Sequence, residues 1–242
     1  MPSIGIVVAL PAEARSIVRQ RLGFESLHKL PSGHWLTVSG AGPDAADAAV
    51  NRLIEREVTA LMSWGCAAAI SEHLAPGHLV LAENIIGVDD QLYSTDTAWR
   101  QRLVANLPPQ LKPQSGAIRE SRHVVITRTE KASLHRQTGA VAVDMESGAI
   151  ARRARAHSLP FLAVRAIADP AVMDFPSAVT HSMNPRGDVR IIELLNHIAR
   201  RPREIPDLIR LVQAFGAAVR TLQQAHQHAG PDFSFSPPSL QP

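Results

Sequence analysis

The chain has 242 residues, of which 45% are hydrophobic and 19% charged. That is enough apolar content for a globular core and excludes a disordered or collagen-like chain. One cysteine, Cys66, excludes an internal disulfide and a paired-cysteine metal or redox site, and no metal is expected. The net charge is +3, with the basic excess in the second part, but no basic run exceeds Arg200-Arg201. With three Trp, one Tyr and six Phe to stack on bases, nucleic acid is not an expected partner.

Apolar runs alternate with helical patterns along the chain, as in α/β layer folds. Ile4–Leu10 is a continuous apolar run, the pattern of a strand covered on both faces, and Pro11 opens a helix. The run has no basic leader and is far shorter than the roughly 18–20 residues of a spanning helix, so a cytoplasmic protein is expected. Trp35–Ser39 reads as a strand, followed by the small-residue loop Gly40-Ala41-Gly42 and an alanine-rich helix over Ala45–Arg56. Leu61–Trp64 reads as a short strand entering Gly65-Cys66-Ala67-Ala68, and His78–Ile86 as a further strand. Thr97–Leu107 is predicted helical and stops at Pro108-Pro109. His123–Ile126 and Ala140–Asp144 are expected as strands with a short helix, Lys131–Gln137, between them. Ser147–His157 is predicted as a helix and Pro160–Ala168 as a strand ending at Asp169, with later helices near Val189–Ala199 and Pro206–His226. The pattern predicts one domain over residues 1–228 and a disordered proline- and serine-rich tail over 229–242.

In open α/β sheets ligands sit beyond the carboxyl ends of strands, so polar residues there carry the functional signal. Glu13 follows the first strand; an ordinary acid in a first helical turn would also stand there. The loop ending in Gly42 lets a backbone approach an anion or sugar, or simply packs strand against helix. Asp144 and Glu146 arrive together at a strand–helix junction. Asp144 suits a helix cap, and Glu146 suits accepting from two vicinal ribose hydroxyls. Asp169 ends a buried strand, where desolvation can make a carboxyl group a general acid; a helix cap or a partner for Arg165 is the plainer alternative.

Together Gly5-Ile6-Val7-Val8-Ala9-Leu10-Pro11-Ala12-Glu13, Val143-Asp144-Met145-Glu146 and Pro160 through Asp169 resemble the nucleoside phosphorylase and nucleosidase superfamily that includes methylthioadenosine/adenosylhomocysteine nucleosidase. The resemblance implies a three-layer α/β fold of the nucleoside phosphorylase kind, a mixed central sheet flanked by helices. It implies cleavage of an N-glycosidic bond, with Met145 and Glu146 holding the ribose and Asp169 serving N7 of the purine. Gly65, Cys66 and Gly42 are the further substrate-binding candidates. Cys66 stands where the family has serine, and Ile126-Thr127-Arg128-Thr129-Glu130-Lys131 replaces its Ser-Gly-Asp-Ala-Phe purine-holding stretch.

Asp144-Met145-Glu146-Ser147-Gly148-Ala149, Asp169-Pro170 and residues 201–208 are similar to the hopanoid-associated phosphorylase group. That similarity implies release of adenine from a nucleosidyl lipid, adenosylhopane, by a homo-oligomer such as a dimer. The acceptor stays open. Hydrolytic members use a glutamate matching Glu13 to activate water, whereas phosphorolytic members bind phosphate as co-substrate, for which Arg15 and Arg128 are the candidates. No other cofactor is implied. A lipid substrate would require an apolar approach, and Leu208, Ile209, Leu211, Val212, Phe215, Val219 and Leu222 fall broadly on one side of the last predicted helix. That stripe fits core packing, or a peripheral contact with the inner membrane surface.

Overall fold

A computed structural model describes residues 2–182, 184, 187 and 191–236. The elements begin β1 (Ile4–Val8), α1 (Pro11–Ala14), β2 (Leu27–Lys29), β3 (Trp35–Val38), α2 (Pro43–Ile54) and β4 (Ala60–Ala69). They continue β5 (Leu79–Ile86), β6 (Leu92–Ser94), α3 (Thr97–Asn106), β7 (Gln114–Glu120), α4 (Arg128–Thr138) and β8 (Ala142–Asp144). The last are α5 (Ser147–Ala156), β9 (Phe161–Asp169), α6 (Ser177–Ser182), α7 (Ile191–Arg200) and α8 (Ile205–Ala229).

The strands form one mixed sheet, as the resemblance implies. β1 lies between β3 and β4, parallel to both, and β4 is parallel to β9. The carboxyl ends of β1, β4 and β9 therefore open on the same edge, where ligands bind in parallel sheets. The long β4 carries on past β1 to pair antiparallel with β8, while β9 pairs antiparallel with β5. Since β5 pairs with β7 and β7 with β8, strands β4, β8, β7, β5 and β9 close into a ring.

Side-chain alternation along the strands feeds two cores. Ile4, Ile6, Val8, Met62, Trp64, Leu162 and Val164 pack on one face with Ala218, Leu222 and Ala225 of α8. Val7, Leu61, Ala163 and Ile167 pack on the other with Ala46, Val50 and Leu53 of α2 and Ala149, Ile150 and Ala154 of α5. Helices on both faces give the three layers. Small residues bring α8 close to the sheet, so its buried face is Ala214, Ala218, Leu222 and Ala225, while Ile209 and Val212 are exposed. The broad stripe expected on this helix thus divides between the core and solvent. Among the described residues no helix is long and apolar enough to cross a membrane.

Several expectations need correction. His123–Ile126 is not a strand; its Val125 is buried in a small cluster with Ile70, Ala140 and Val143. The strand lies earlier, over Gln114–Glu120, and its polar composition hid it because Ile118 and Glu120 alone are buried there. The three-residue strands β2 and β6 and the short α6 carry too little pattern to be read from sequence. Val189 and Arg190, at the start of the helix expected near 189–199, lie outside the described residues.

The largest correction concerns the tail. Over residues 229–236 the chain folds back onto the domain. Phe233 is fully buried, meets Trp64 edge-on at 5.6 Å between ring centroids and stacks on His226 at 4.8 Å. Its carbonyl accepts from Trp99 Nε1 at 2.8 Å, which satisfies a buried indole N–H. Proline and serine content suggested disorder, but Phe233 and Phe235 supply the apolar area that offsets the entropy of ordering the segment. Residues 237–242 of the expected tail lie outside the described residues. Phe233→Ala is expected to lower stability by about 3–5 kcal/mol. Urea denaturation followed by circular dichroism checks this, and an unchanged midpoint would return the segment to the status of a loose tail.

Candidate active site

Four carboxyl groups gather at the shared sheet edge, placed by three strand ends: Glu13 after β1, Asp144 and Glu146 at the end of β8, and Asp169 at the end of β9. Glu13 lies one turn past β1, where α1 folds its side chain back over the strand. Its Oε2 accepts from the N–H groups of Ala9 and Leu10, both at 2.9 Å, and its Oε1 from the Cys66 N–H of β4 at 2.7 Å. The group is buried, and desolvation raises its pKa against the opposing pull of those N–H bonds and of Arg165. Gly65 makes the approach possible, since a Cβ there would lie 2.6 Å from Glu13 Oε1.

Glu146 is fixed from the other side. Its Oε1 accepts from the Gly42 N–H at 2.8 Å, and Gly42 sits at φ +99°, a conformation favouring glycine at the start of α2. Met145 beside it is half-buried, its Cε 4.0 Å from where a Gly42 Cβ would stand. Burial and the nearby charge of Asp144 push the Glu146 pKa up to about 8.

Arg165 is the hub of this arrangement. It projects from the middle of β9, level with Gly65 of β4, and is buried. Its Nε donates to Asp144 Oδ2 at 2.7 Å and its Nη2 to Ser63 Oγ at 2.6 Å and Ser147 Oγ at 2.9 Å. Its charge acts on Glu13 and Glu146 as well as on Asp144. Asp144 Oδ1 also accepts from the N–H of Ser147, the first residue of α5, at 3.1 Å; the N-cap position itself is held by Glu146. Arg165 thus pairs with Asp144, not with Asp169, whose partner is Lys131.

Asp169 closes the site. The β4–β9 register shifts between Ala67 and Ala68, so that Ala67 faces Ile167 while Ala68 faces Asp169. Such an irregularity re-aims the side chain at the strand end. Asp169 Oδ2 pairs with Lys131 Nζ of α4 at 2.7 Å, whereas Oδ1 is buried without a hydrogen-bond partner. Burial raises the pKa to about 6, with Lys131 opposing the rise. An orphaned buried oxygen of this kind marks where a ligand donor or acceptor fits.

Cys66 contributes chiefly through its backbone N–H. Burial, with the charge of Glu13 next, pushes its thiol pKa well above the ordinary value, so the thiol is held neutral. Gly65→Ala should therefore displace the Glu13 carboxylate and cost on the order of 10²-fold in turnover. Cys66→Ser keeps the backbone bond and should stay within about tenfold, the range of one neutral hydrogen bond. Steady-state rates of the two variants check the contrast.

The two phosphate candidates do not join this cluster. Arg15 is exposed at the end of α1. Arg128 is 65% exposed, its Nε 3.5 Å from Asp174 Oδ1. Sequence reasoning gave no site role to Arg165 or Lys131. Both left a signal: a lone arginine inside an otherwise apolar strand, and one of only three lysines in the chain. A separate cavity of about 340 Å³ is lined by Arg119, Glu120, Arg122, Val125 and Glu130 among others, and by none of the four site carboxylates.

The mixed sheet with helices on both faces and buried carboxyl groups at its strand ends is the fold of an enzyme of the nucleoside phosphorylase and nucleosidase class. The chain belongs to the Phosphorylase superfamily, whose profile matches residues 3–193. It is 28% identical over 183 residues to the futalosine hydrolase of Streptomyces coelicolor, covering 67% of this chain and 77% of that protein. The fold is similar to that of the 5′-methylthioadenosine/S-adenosylhomocysteine nucleosidase from S. pneumoniae, with TM-score 0.65 and 18% identity over 93% of this chain and 99% of that one. Native futalosine hydrolase of Helicobacter pylori gives TM-score 0.66 and 15% identity over 93% and 97% of the two chains.

Proposed function

We propose that the protein hydrolyses the N-glycosidic bond of a 5′-substituted adenosine, releasing adenine. The observation that carries this reading is the unpartnered buried Oδ1 of Asp169, on the same sheet edge as Glu13 and Glu146. In this assignment Asp169 supplies a proton to N7, so that the base leaves neutral. Glu146 accepts from the ribose hydroxyls. Positive charge developing on the ribosyl ring favours its ionised form, a contact that strengthens toward the transition state. Glu13 has three of a carboxylate's roughly four acceptor positions filled by N–H groups, leaving about one for a water molecule. That water attacks C1′ as the bond to N9 breaks, and its proton passes to Glu13.

Water is favoured over phosphate by charge. A buried carboxylate at the attacking face repels phosphate. Arg15 and Arg128 turn to solvent, and Arg165 already serves Asp144, Ser63 and Ser147. The curated relative named a hydrolase points the same way. Resemblance to the hopanoid-associated group makes adenosylhopane the first 5′-substituted adenosine to test, beside methylthioadenosine; futalosine, a hypoxanthine nucleoside, tests the choice of base.

Chromatography of base and sugar products, with and without phosphate, tests the reading. Free adenine and free sugar at a rate indifferent to phosphate are expected. A sugar 1-phosphate would overturn the choice of water. Binding without base release would make the protein a nucleoside-binding module instead.

A further inference from the structure

We infer that Lys131 is a positioning residue: it anchors Asp169 through Oδ2 and so presents Oδ1 to the purine. This rests on the reading of Asp169 as the group that serves the base. Lys131 is completely buried in α4, an unusual place for a lysine unless it is paired. Its Nζ lies 2.7 Å from Asp169 Oδ2, 3.0 Å from the Pro170 carbonyl and 2.8 Å from the Met173 carbonyl. An ammonium has three N–H donors and no acceptor, so these three oxygens use it fully. It therefore has no lone pair for nucleophilic work and no donor left for substrate. What it does is tie α4 to the end of β9 and to the loop that follows.

The consequence for Asp169 is both geometric and electrostatic. With Oδ2 held, rotation of the carboxyl group is blocked and the buried Oδ1 stays available to a ligand. The charged groups acting on Asp169 are Lys131 from α4 and Asp174 from the following loop, the latter paired with Arg128. Lys131 favours the ionised form and burial the neutral form. Their balance sets Asp169 close to neutrality rather than far above it.

The test uses the wild-type protein and Lys131→Met, a neutral side chain of similar length. In wild type, the ¹⁵Nζ resonance of Lys131 is expected to be protected from exchange and to shift as Asp169 titrates. With only three lysines its assignment is direct. In Lys131→Met the ¹³C carboxyl resonance of Asp169 should titrate about one to three pH units higher. The alkaline limb of kcat/KM for base release should move the same way, with kcat falling more than KM changes. A wild-type Nζ signal indifferent to pH overturns the assignment even where the variant does not fold. An Asp169 titration unmoved in a folded variant overturns it too. Absence of base release by wild type would instead defeat the functional reading, while the two resonances still report on the pair.

Discussion

Asp169→Asn is expected to release base on the order of 10²–10⁴ times more slowly than wild type, the usual cost of removing a general acid. Asparagine is nearly isosteric, and its carbonyl can still accept from Lys131 at the place of Oδ2. Its amide can donate a hydrogen bond toward N7 but has no proton to give, so the loss falls on kcat and leaves KM little changed. The pH profile gives a second readout. In the proposed mechanism Asp169 acts in its protonated form, and with its pKa raised to about 6 wild-type kcat/KM should fall as pH rises through that value. Asparagine has no such titration, and the variant should lose that limb of the profile. Initial rates from about pH 5 to 8 measure both effects, bracketing a catalytic pKa near the working range. Turnover by Asp169→Asn close to that of wild type would remove Asp169 from the mechanism.

Arg165→Met is expected to lower folding stability by about 3–5 kcal/mol, the cost of stripping one partner from a buried ion pair. That is a large share of the roughly 5–15 kcal/mol that holds a typical domain together. Methionine fills much of the volume, so the loss is electrostatic. Asp144 loses its partner in a buried setting, and Ser63 and Ser147 lose their donor. Lysine at 165 keeps the charge but not the planar fork that reaches Asp144 and both serines together, and should fall between wild type and Met. The Asp144→Asn/Arg165→Met double variant should be more stable than the sum of its single changes, because the Asp144 charge is no longer left without its partner. Urea midpoints of the four proteins decide this. Full stability in Arg165→Met would mean that the guanidinium is not the counter-charge of the cluster.

The two substitutions separate two kinds of legibility. Asp169 and Glu13 stand where polarity breaks an apolar strand pattern, and a sequence shows that break directly. Glu146 was legible as a carboxylate delivered with Asp144 to a strand–helix junction. Arg165 and Lys131 act through distance alone: Arg165 reaches Asp144 across 21 positions and Ser63 across 102, and Lys131 reaches Met173 across 42. No local pattern encodes such partners. The same limit hid the strand over Gln114–Glu120, whose polar residues are tolerated because its neighbours satisfy its backbone. It also hid Phe233, whose burial depends on Trp64 and Trp99 from distant elements.

The sequence by itself determined the layered α/β alternation, one cysteine with no disulfide, and the carboxylates waiting at strand ends. Periodicity and apolar run length are local quantities, so they survive without coordinates. Tertiary structure decided which charge neutralises which. It paired Arg165 with Asp144 and Lys131 with Asp169, and it turned Arg15 and Arg128 away to solvent. Electrostatic energy depends on separation and on exclusion of water, and both are fixed only when the strands have closed on one another.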